Sequence, residues 1–412
     1  MKRSTERILT THTGSLQKPA DLRALLSRRQ AEELSAGDRE TLQRRTRAAV
    51  AETVRRQLEV GLDIIDDGEV SKTSFFDYIG ARLGGLARRP GALKLHHLPP
   101  WNVEAGLVRP REARTTYLES AEAPGHYRSD VAEFHEFART QQGGNLGGVA
   151  TYCVGPLTLE DPSAVRTDVD TLTAALAGQR PVEVFMPAVS PGMVARTVRN
   201  VFYPNDETFL QAIADVMRDE YEAIVGAGFV LQLDCPDLAS GANTDYADLS
   251  ISEFRKLVEL HVEVLNYAVR DLPAEQIRIH VCWGNYEGPH HLDIDASKIA
   301  DVVLKAKPAT ILFEAANPRH EHEWAAWREA DIPADKILAP GVIDSTCNYI
   351  EHPGLVAQRL ERYAEIVGAD RVMAGTDCGF GTWSGFGSVD PDICWAKLAA
   401  LSDGARRASG RP

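Results

Sequence analysis

Ile277-Arg278-Ile279-His280-Val281-Cys282 is the stretch from which the fold of this chain can be read. Ile277, Ile279 and Val281 alternate with Arg278, His280 and Cys282, and a period of two predicts a strand. His280 and Cys282 then share one face, about 6 to 7 Å apart along the strand. The run stops at Trp283-Gly284-Asn285, where the chain has to turn. An imidazole and a thiol together at a strand's end are half of a metal site, or else a buried cysteine beside a hydrogen-bonded histidine. The remainder of the chain bears on that choice.

Outward from 277–282, short apolar runs recur at 8–11, 62–65, 149–154, 182–188, 229–233, 310–313, 336–342 and 371–374. Helix-period segments separate them at 20–58, 206–227, 252–272, 299–305 and 353–367. Strands alternating with helices predict an α/β fold with a parallel sheet. Closing eight of the nine runs into a TIM (β/α)8 barrel leaves one over as a capping or lid strand. A doubly wound open sheet is the competing arrangement, but no G-x-G-x-x-G follows a first strand and no P-loop is present. Residues 80–145, with Gly84-Gly85, Pro99-Pro100 and Gly143-Gly144, break the rhythm and read as a lid inserted into a single catalytic domain spanning 1–412.

Composition narrows the function. Of 412 residues, 44% are hydrophobic and 25% charged, enough to bury a large core. A net charge of −14 argues against nucleic acid, whose phosphates need a clustered basic surface. No window approaches the roughly 18 apolar residues of a membrane helix, so no membrane partner is expected. Six cysteines in so long a chain make a poor disulfide scaffold and suit a cytoplasmic, reducing setting in which thiols are free to bind metal. A homo-oligomer is left open.

Polar residues close most of the apolar runs. His280 and Cys282 are followed by Glu314 one βα unit later and by Cys378 two units beyond that. In a closed barrel neighbouring strand ends converge, so these four can meet. One imidazole and two thiolates select zinc over magnesium or calcium, and a carboxylate can complete a tetrahedron. A dication with two thiolates and one carboxylate is a net −1 site and a poor Lewis acid. It suits lowering the pKa of an incoming thiol while leaving its sulfur nucleophilic, and the chemistry so implied is alkyl transfer to a thiol.

H-x-C, then a Glu-ended strand, then Asp377-Cys378-Gly379 resembles the zinc site of the cobalamin-independent methionine synthase family, in its C-terminal catalytic barrel. Thr10-Thr11-His12-Thr13-Gly14-Ser15, Asp66 to Glu69, Gln232-Leu233-Asp234 and Pro340-Gly341-Val342-Ile343-Asp344 match further segments in order, from about residue 8 to about 385. The resemblance implies a uroporphyrinogen-decarboxylase/methionine-synthase-like TIM barrel, and a core-only member without the family's second barrel. It implies Zn2+ on His280, Cys282, Glu314 and Cys378, with Ser15, Glu69 and Asp234 on the amino-acid part of a thiol substrate such as homocysteine, and a 5-methyltetrahydrofolate-type alkyl donor.

Two departures stand out. Asp234-Cys235-Pro236 replaces the family's D-E-P, and Thr346 stands where the family has a histidine that helps protonate the leaving folate nitrogen. Losing such an acid costs roughly 10²–10⁴ in rate. His290, just past the H-x-C strand, and His320 or His322, just past Glu314, are the candidate replacements. A relative of epoxyalkane:coenzyme M transferase alkylating another thiol is the alternative enzyme. A closed structural zinc barrel without catalysis is the alternative outside enzymology.

Overall fold

The computed structural model describes residues 1–30, 33–90, 130, 133–134, 149–382 and 389–410. Among the described residues the strands are β1 (Leu9–Thr10), β2 (Ile64–Ile65), β3 (Leu83–Pro90), β4 (Val149–Leu159), β5 (Glu183–Val189), β6 (Val198–Asn200), β7 (Val230–Asp234), β8 (Ile277–Val281), β9 (Thr310–Glu314), β10 (Ile337–Ile343) and β11 (Met373–Thr376). Eight of them form one parallel sheet in the order β1-β11-β10-β9-β8-β7-β5-β2. The remaining seam, between β1 and β2, is bridged by Asp63 N–H to the Thr10 carbonyl at 3.2 Å and Thr10 N–H to Asp63 Oδ2 at 2.9 Å. The result is the expected TIM barrel.

The ninth run, β4, lies outside the ring. It pairs antiparallel with β3 and parallel with β6 in a separate three-stranded sheet. The sequence reading leaves room for short strands within 80–145, and β3 is one, though Gly84-Gly85 hides its bounds; β6, only three residues long, is not predicted. Of the predicted insertion at 80–145, only 80–90, 130 and 133–134 are described; 91–129, 131–132 and 135–148 lie outside the described residues.

Helices cover the barrel between strands. The single helical run at 20–58 is two helices, Ala20–Gln30 and Ala36–Glu59, the second opened by a capping box in which Ser35 and Asp38 exchange side-chain-to-backbone bonds. Ile251–Ala268 likewise starts from a Ser250/Glu253 capping box, two residues before the sequence-based start. No helix among the described residues is long and apolar enough to cross a membrane.

Strand alternation then sorts side chains. On β8, Ile277, Ile279 and Val281 join the large apolar cluster between sheet and helices. The inward residues Leu9, Ile64, Phe185, Val230, Leu312, Ile337, Ala339 and Met373 make a smaller cluster that floors the barrel. Above that floor Arg278 is fully buried, its guanidinium 3.6 Å from the Phe185 ring centroid. It donates to Gln232 Oε1 at 2.8 Å, Thr11 Oγ1 at 2.8 Å and the His12 carbonyl at 2.9 Å. Burial pulls it down to about 9, against the countercharges Asp66 and Asp234. A cation so held joins β1, β7 and β8 and closes the barrel interior below the site.

Candidate active site

Register sets the geometry of the strand ends. His280 on β8 pairs with Asp234 on β7 and with Leu312 on β9, while Gly341 on β10 pairs with both Glu314 and Gly375. Cys282 follows β8 directly, and Cys378 lies two residues past β11. Their sulfurs stand 3.8 Å apart, and with a ring nitrogen of His280 they form a buried trio whose ligand atoms all lie within 4.8 Å of one another. The cysteines are free, and the separation is far beyond the about 2.05 Å of a disulfide. It does suit a metal: with metal–sulfur bonds of about 2.3 Å, two corners of a tetrahedron are about 3.8 Å apart. His, Cys and Cys at this spacing fit the zinc that the resemblance implies.

Glu314 stands beside this trio, and the group of mutually close ligand atoms does not include it. Its Oε1 accepts the Trp283 N–H at 2.7 Å and its Oε2 the Asn317 Nδ2–H at 2.9 Å. The hydrogen bond to Cys378, then burial, raises the Cys282 thiol well above its ordinary value, and burial with the Cys282 charge raises the Glu314 carboxyl likewise. Burial pulls His280 down, but its contact with Asp234 and the neighbouring Cys282 outweigh that and carry it up to about 9. Such groups give up their protons when a cation binds.

What holds Cys378 in place is a residue the sequence reading left without a role. The Asp377 carboxylate accepts the backbone N–H groups of Ala315, Ala316 and Asn317 at 2.8, 2.9 and 2.8 Å, tying the end of β11 to the loop after β9. His280 is oriented in turn, with Nδ1 3.5 Å from Asp234 Oδ1 and Nε2 3.2 Å from the Asp377 carbonyl. An outer carboxylate on a ligating histidine fixes its tautomer and aim.

Ser15 lies against this clasp: its carbonyl accepts Phe380 N–H at 2.8 Å and Gly381 N–H at 3.2 Å. Glu69 is buried on the same side of the barrel mouth, with φ of 52°, a left-handed conformation that a non-glycine residue adopts at a cost of about 1–3 kcal/mol. Burial, partly offset by Lys72 and reinforced by Asp234, pushes its carboxyl up to about 7. Lys72 Nζ is 3.6 Å from Glu69 Oε2, yet neither Glu69 Oε2 nor Asp66 Oδ2 receives a hydrogen bond. Buried carboxylate oxygens of this kind call for a cationic donor.

Of the three candidate acids, two come together and one does not. His290 Nδ1 is 2.5 Å and His320 Nε2 3.2 Å from the same oxygen, Asp293 Oδ2, and His320 Nδ1 is 3.0 Å from Glu323 Oε2. Burial lowers His320, but Asp293 and Glu323 more than compensate and raise it to about 10. It is an imidazolium clamped between carboxylates, packed 4.8 Å from the Trp283 ring. His290, nearer the surface, has φ of 54°, and its backbone N–H donates to Asp130 Oδ2 at 2.8 Å. His322 is 65% exposed beside Asp295 and lies outside this group. Trp283 is buried, its Nε1–H bonded to the Ile294 carbonyl at 2.6 Å, so it belongs to the packing behind the site; Trp383 lies outside the described residues. Thr346 bonds back to Asp344 through both its N–H and its hydroxyl, at 2.7 and 2.8 Å.

With this geometry in view, residues 8–93 match the family model described as cobalamin-independent synthase, catalytic domain. A methionine synthase of Pyrococcus horikoshii is 22% identical over 396 residues, covering 95% of this chain and 90% of that protein. The chloroplastic 5-methyltetrahydropteroyltriglutamate–homocysteine methyltransferase 3 of Arabidopsis thaliana is 22% identical over 384 residues, and there the chain spans only 37% of the relative's length. Among solved structures, a B12-independent methionine synthase from a Shewanella species, in complex with selenomethionine, superimposes with a TM-score of 0.67 at 18% identity, covering 97% of each chain. That likeness shows the fold, and sequence and fold together bear out the resemblance.

Proposed function

We propose that this relative of the cobalamin-independent methionine synthases is a zinc-dependent thiol alkyltransferase that methylates homocysteine to methionine. The observation that carries the reading is the side-by-side placement of two chemistries. Gly379, next to Cys378 of the His/Cys/Cys trio, packs against Ser15, and the neighbouring Gly14 packs against Glu69 and Asp66, whose Oε2 and Oδ2 are buried without a hydrogen bond.

His280, Cys282 and Cys378 would hold the zinc, with Glu314 at hand as a fourth, weaker ligand. Bound there, zinc supplies the charge that keeps a substrate sulfur deprotonated at neutral pH. Glu69 and Asp234 receive the amino group of the thiol substrate, and Ser15 contributes to the same pocket. In the transfer a carbon–sulfur bond forms, the bond from methyl to its donor atom breaks, and the electron pair leaves with that atom. The leaving atom needs a proton, and we assign that donation to His290, which would have to release the Tyr286 carbonyl from its Nε2 to do so. His320, locked between Asp293 and Glu323, instead fixes the carboxylate that His290 leans on.

An ammonium partner for the acids favours homocysteine over coenzyme M, which carries a sulfonate and no amine. The deciding experiment loads the protein with metal, measures zinc per chain, and follows the metal's sulfur coordination by X-ray absorption as each thiol is added. One zinc per chain and a third sulfur with homocysteine alone are expected. A coordination shell that no thiol enters would make this a structural site and end the enzymatic reading.

A further inference from the structure

His290, Asp293 and His320 form a second buried trio that shares no member with the first, and its ligand atoms again all lie within 4.8 Å of one another. His290 and Asp293 follow β8 and His320 follows β9, at the strand ends where barrels keep their sites. The two groups adjoin through Trp283, the residue after Cys282. Its backbone N–H donates to Glu314, and its ring packs 4.8 Å from that of His320.

The outer atoms of this trio are what set it apart from an ordinary ion-pair network. His290 Nε2 is 3.0 Å from the Tyr286 carbonyl, which can only accept, so that nitrogen carries a proton. His320 Nδ1 is 3.0 Å from Glu323 Oε2, and Glu323 Oε1 is itself held by the Ala296 N–H at 2.8 Å. Asp293 Oδ1 accepts the Asn243 Nδ2–H at 2.9 Å. With its far side so engaged, each ring aims its other nitrogen at Asp293 Oδ2, from 2.5 Å for His290 Nδ1 and from 3.2 Å for His320 Nε2. Three donor atoms, each fixed from behind by a hydrogen bond, are how proteins present ligands to a metal. With bonds of about 2.0–2.1 Å, atoms on one ion stand about 2.9 to 3.4 Å apart. The His320 separation already matches, and the His290 one has to widen by about half an ångström.

We propose that His290, Asp293 and His320 are a second, sulfur-free site for a divalent first-row transition ion, and that filling it silences His290. Imidazole nitrogens favour such an ion over magnesium or calcium, and without a thiolate the site is weaker than the first, so it fills only in excess metal. The ion replaces the protons that lie between the rings and Asp293 Oδ2, and these leave to water. Asp293, with Glu323 behind it, balances the two charges of the ion. With Nδ1 on the metal the His290 ring can no longer turn, and its Nε2 proton stays on the Tyr286 carbonyl instead of reaching the leaving atom. The silencing rests on the alkyltransferase reading; the site itself does not.

Equilibrium dialysis of the zinc-loaded protein against rising zinc, with metal measured per chain, tests this; cobalt offered in place of the second zinc reports its ligands. The parent should go from one ion per chain to two, and the second, as cobalt, should show no sulfur-to-metal charge-transfer band. His290→Gln and Asp293→Asn should each keep the first ion and lose the second, and Glu323→Gln should weaken the second by about 10–100-fold. His322→Ala, in the exposed group of Asp295, His322 and Glu323, should change neither. As the second ion binds, alkyl transfer by the parent should slow by roughly 10²–10⁴ with homocysteine affinity intact. The site is overturned by a stoichiometry that stays at one, by a second ion that survives both His290→Gln and Asp293→Asn, or by one lost with His322→Ala. Unaltered transfer at two ions per chain overturns the silencing. A chain that binds both ions yet methylates no thiol at either loading sinks the alkyltransferase reading, and the silencing with it, while the site stands.

Discussion

Gly341 and Asp377 occupy the same space: a Cβ built on Gly341 would lie 2.5 Å from both the Cα and the N of Asp377. The glycine of P-G-V-I-D is therefore there to let the Asp377 turn cross over β10, and that turn carries Cys378. Gly341→Ala should destabilise the protein by about 1–3 kcal/mol, as other overpacked sites do, and lower its zinc content in parallel. Thermal melts with metal analysis check this, and an unchanged metal content would show that the turn does not set the position of Cys378.

The ligands should not be equivalent. Cys282→Ser, Cys378→Ser and His280→Ala each remove a member of the close trio and should abolish stoichiometric zinc. Glu314→Gln, outside that trio, should keep most of it while impairing turnover. Zinc per chain after dialysis against a weak chelator reads this directly. Equal loss in all four would place Glu314 inside the coordination set.

Glu69 gives a pH dependence with a definite sign. Its carboxyl titrates near 7 in the folded chain against an ordinary 4.5, so between those values the folded state binds the extra proton. Stability therefore falls as pH rises through that window, and Glu69→Gln should remove this slope. An amino-acid ligand wants the ionised form, so methionine, which has no ionisable thiol, should bind more tightly as pH rises toward 7, by up to about tenfold per unit, and level off above it. A flat affinity profile in the unmodified protein would remove Glu69 from the ammonium site.

His290 and His320 should separate cleanly. His290→Gln is expected to slow alkyl transfer by roughly 10²–10⁴ with homocysteine affinity intact. His320 is raised to about 10 in the folded chain from an ordinary 6.5, so the stability it gives is fully present below 6.5 and is lost as pH climbs through 10. His320→Gln should therefore cost a few kcal/mol at pH 6 and much less at pH 10, measured by urea denaturation alongside the parent. A difference that does not vary with pH would mean the ring is neutral.

The sequence pattern exposes this molecule unevenly, and the reasons are physical. Alternation in 277–282 discloses both the strand and the face on which His280 and Cys282 lie, because a parallel strand in a barrel must put one parity toward the axis. The extra strand at 149–154 is legible as extra, though not its partners, since β3 contains two glycines and β6 has too few residues to show a period. Arg278 shares the parity of His280 and could have been read as inward-facing; a buried guanidinium is rare enough that the pattern does not suggest it. Asp377 offered only its place before Cys378, and its three N–H donors come from a loop some sixty positions away in the chain.

The Asp377 bridge has a bearing on transplantation. Because one side chain fastens the ends of two strands together, Cys378 and the backbone that carries Glu314 form a single mechanical unit. A graft that copies only the sulfur, imidazole and carboxylate donors onto another barrel would inherit none of that stiffness. It would have to bring the aspartate, the three amides it grips and the bare glycine beneath them as one piece.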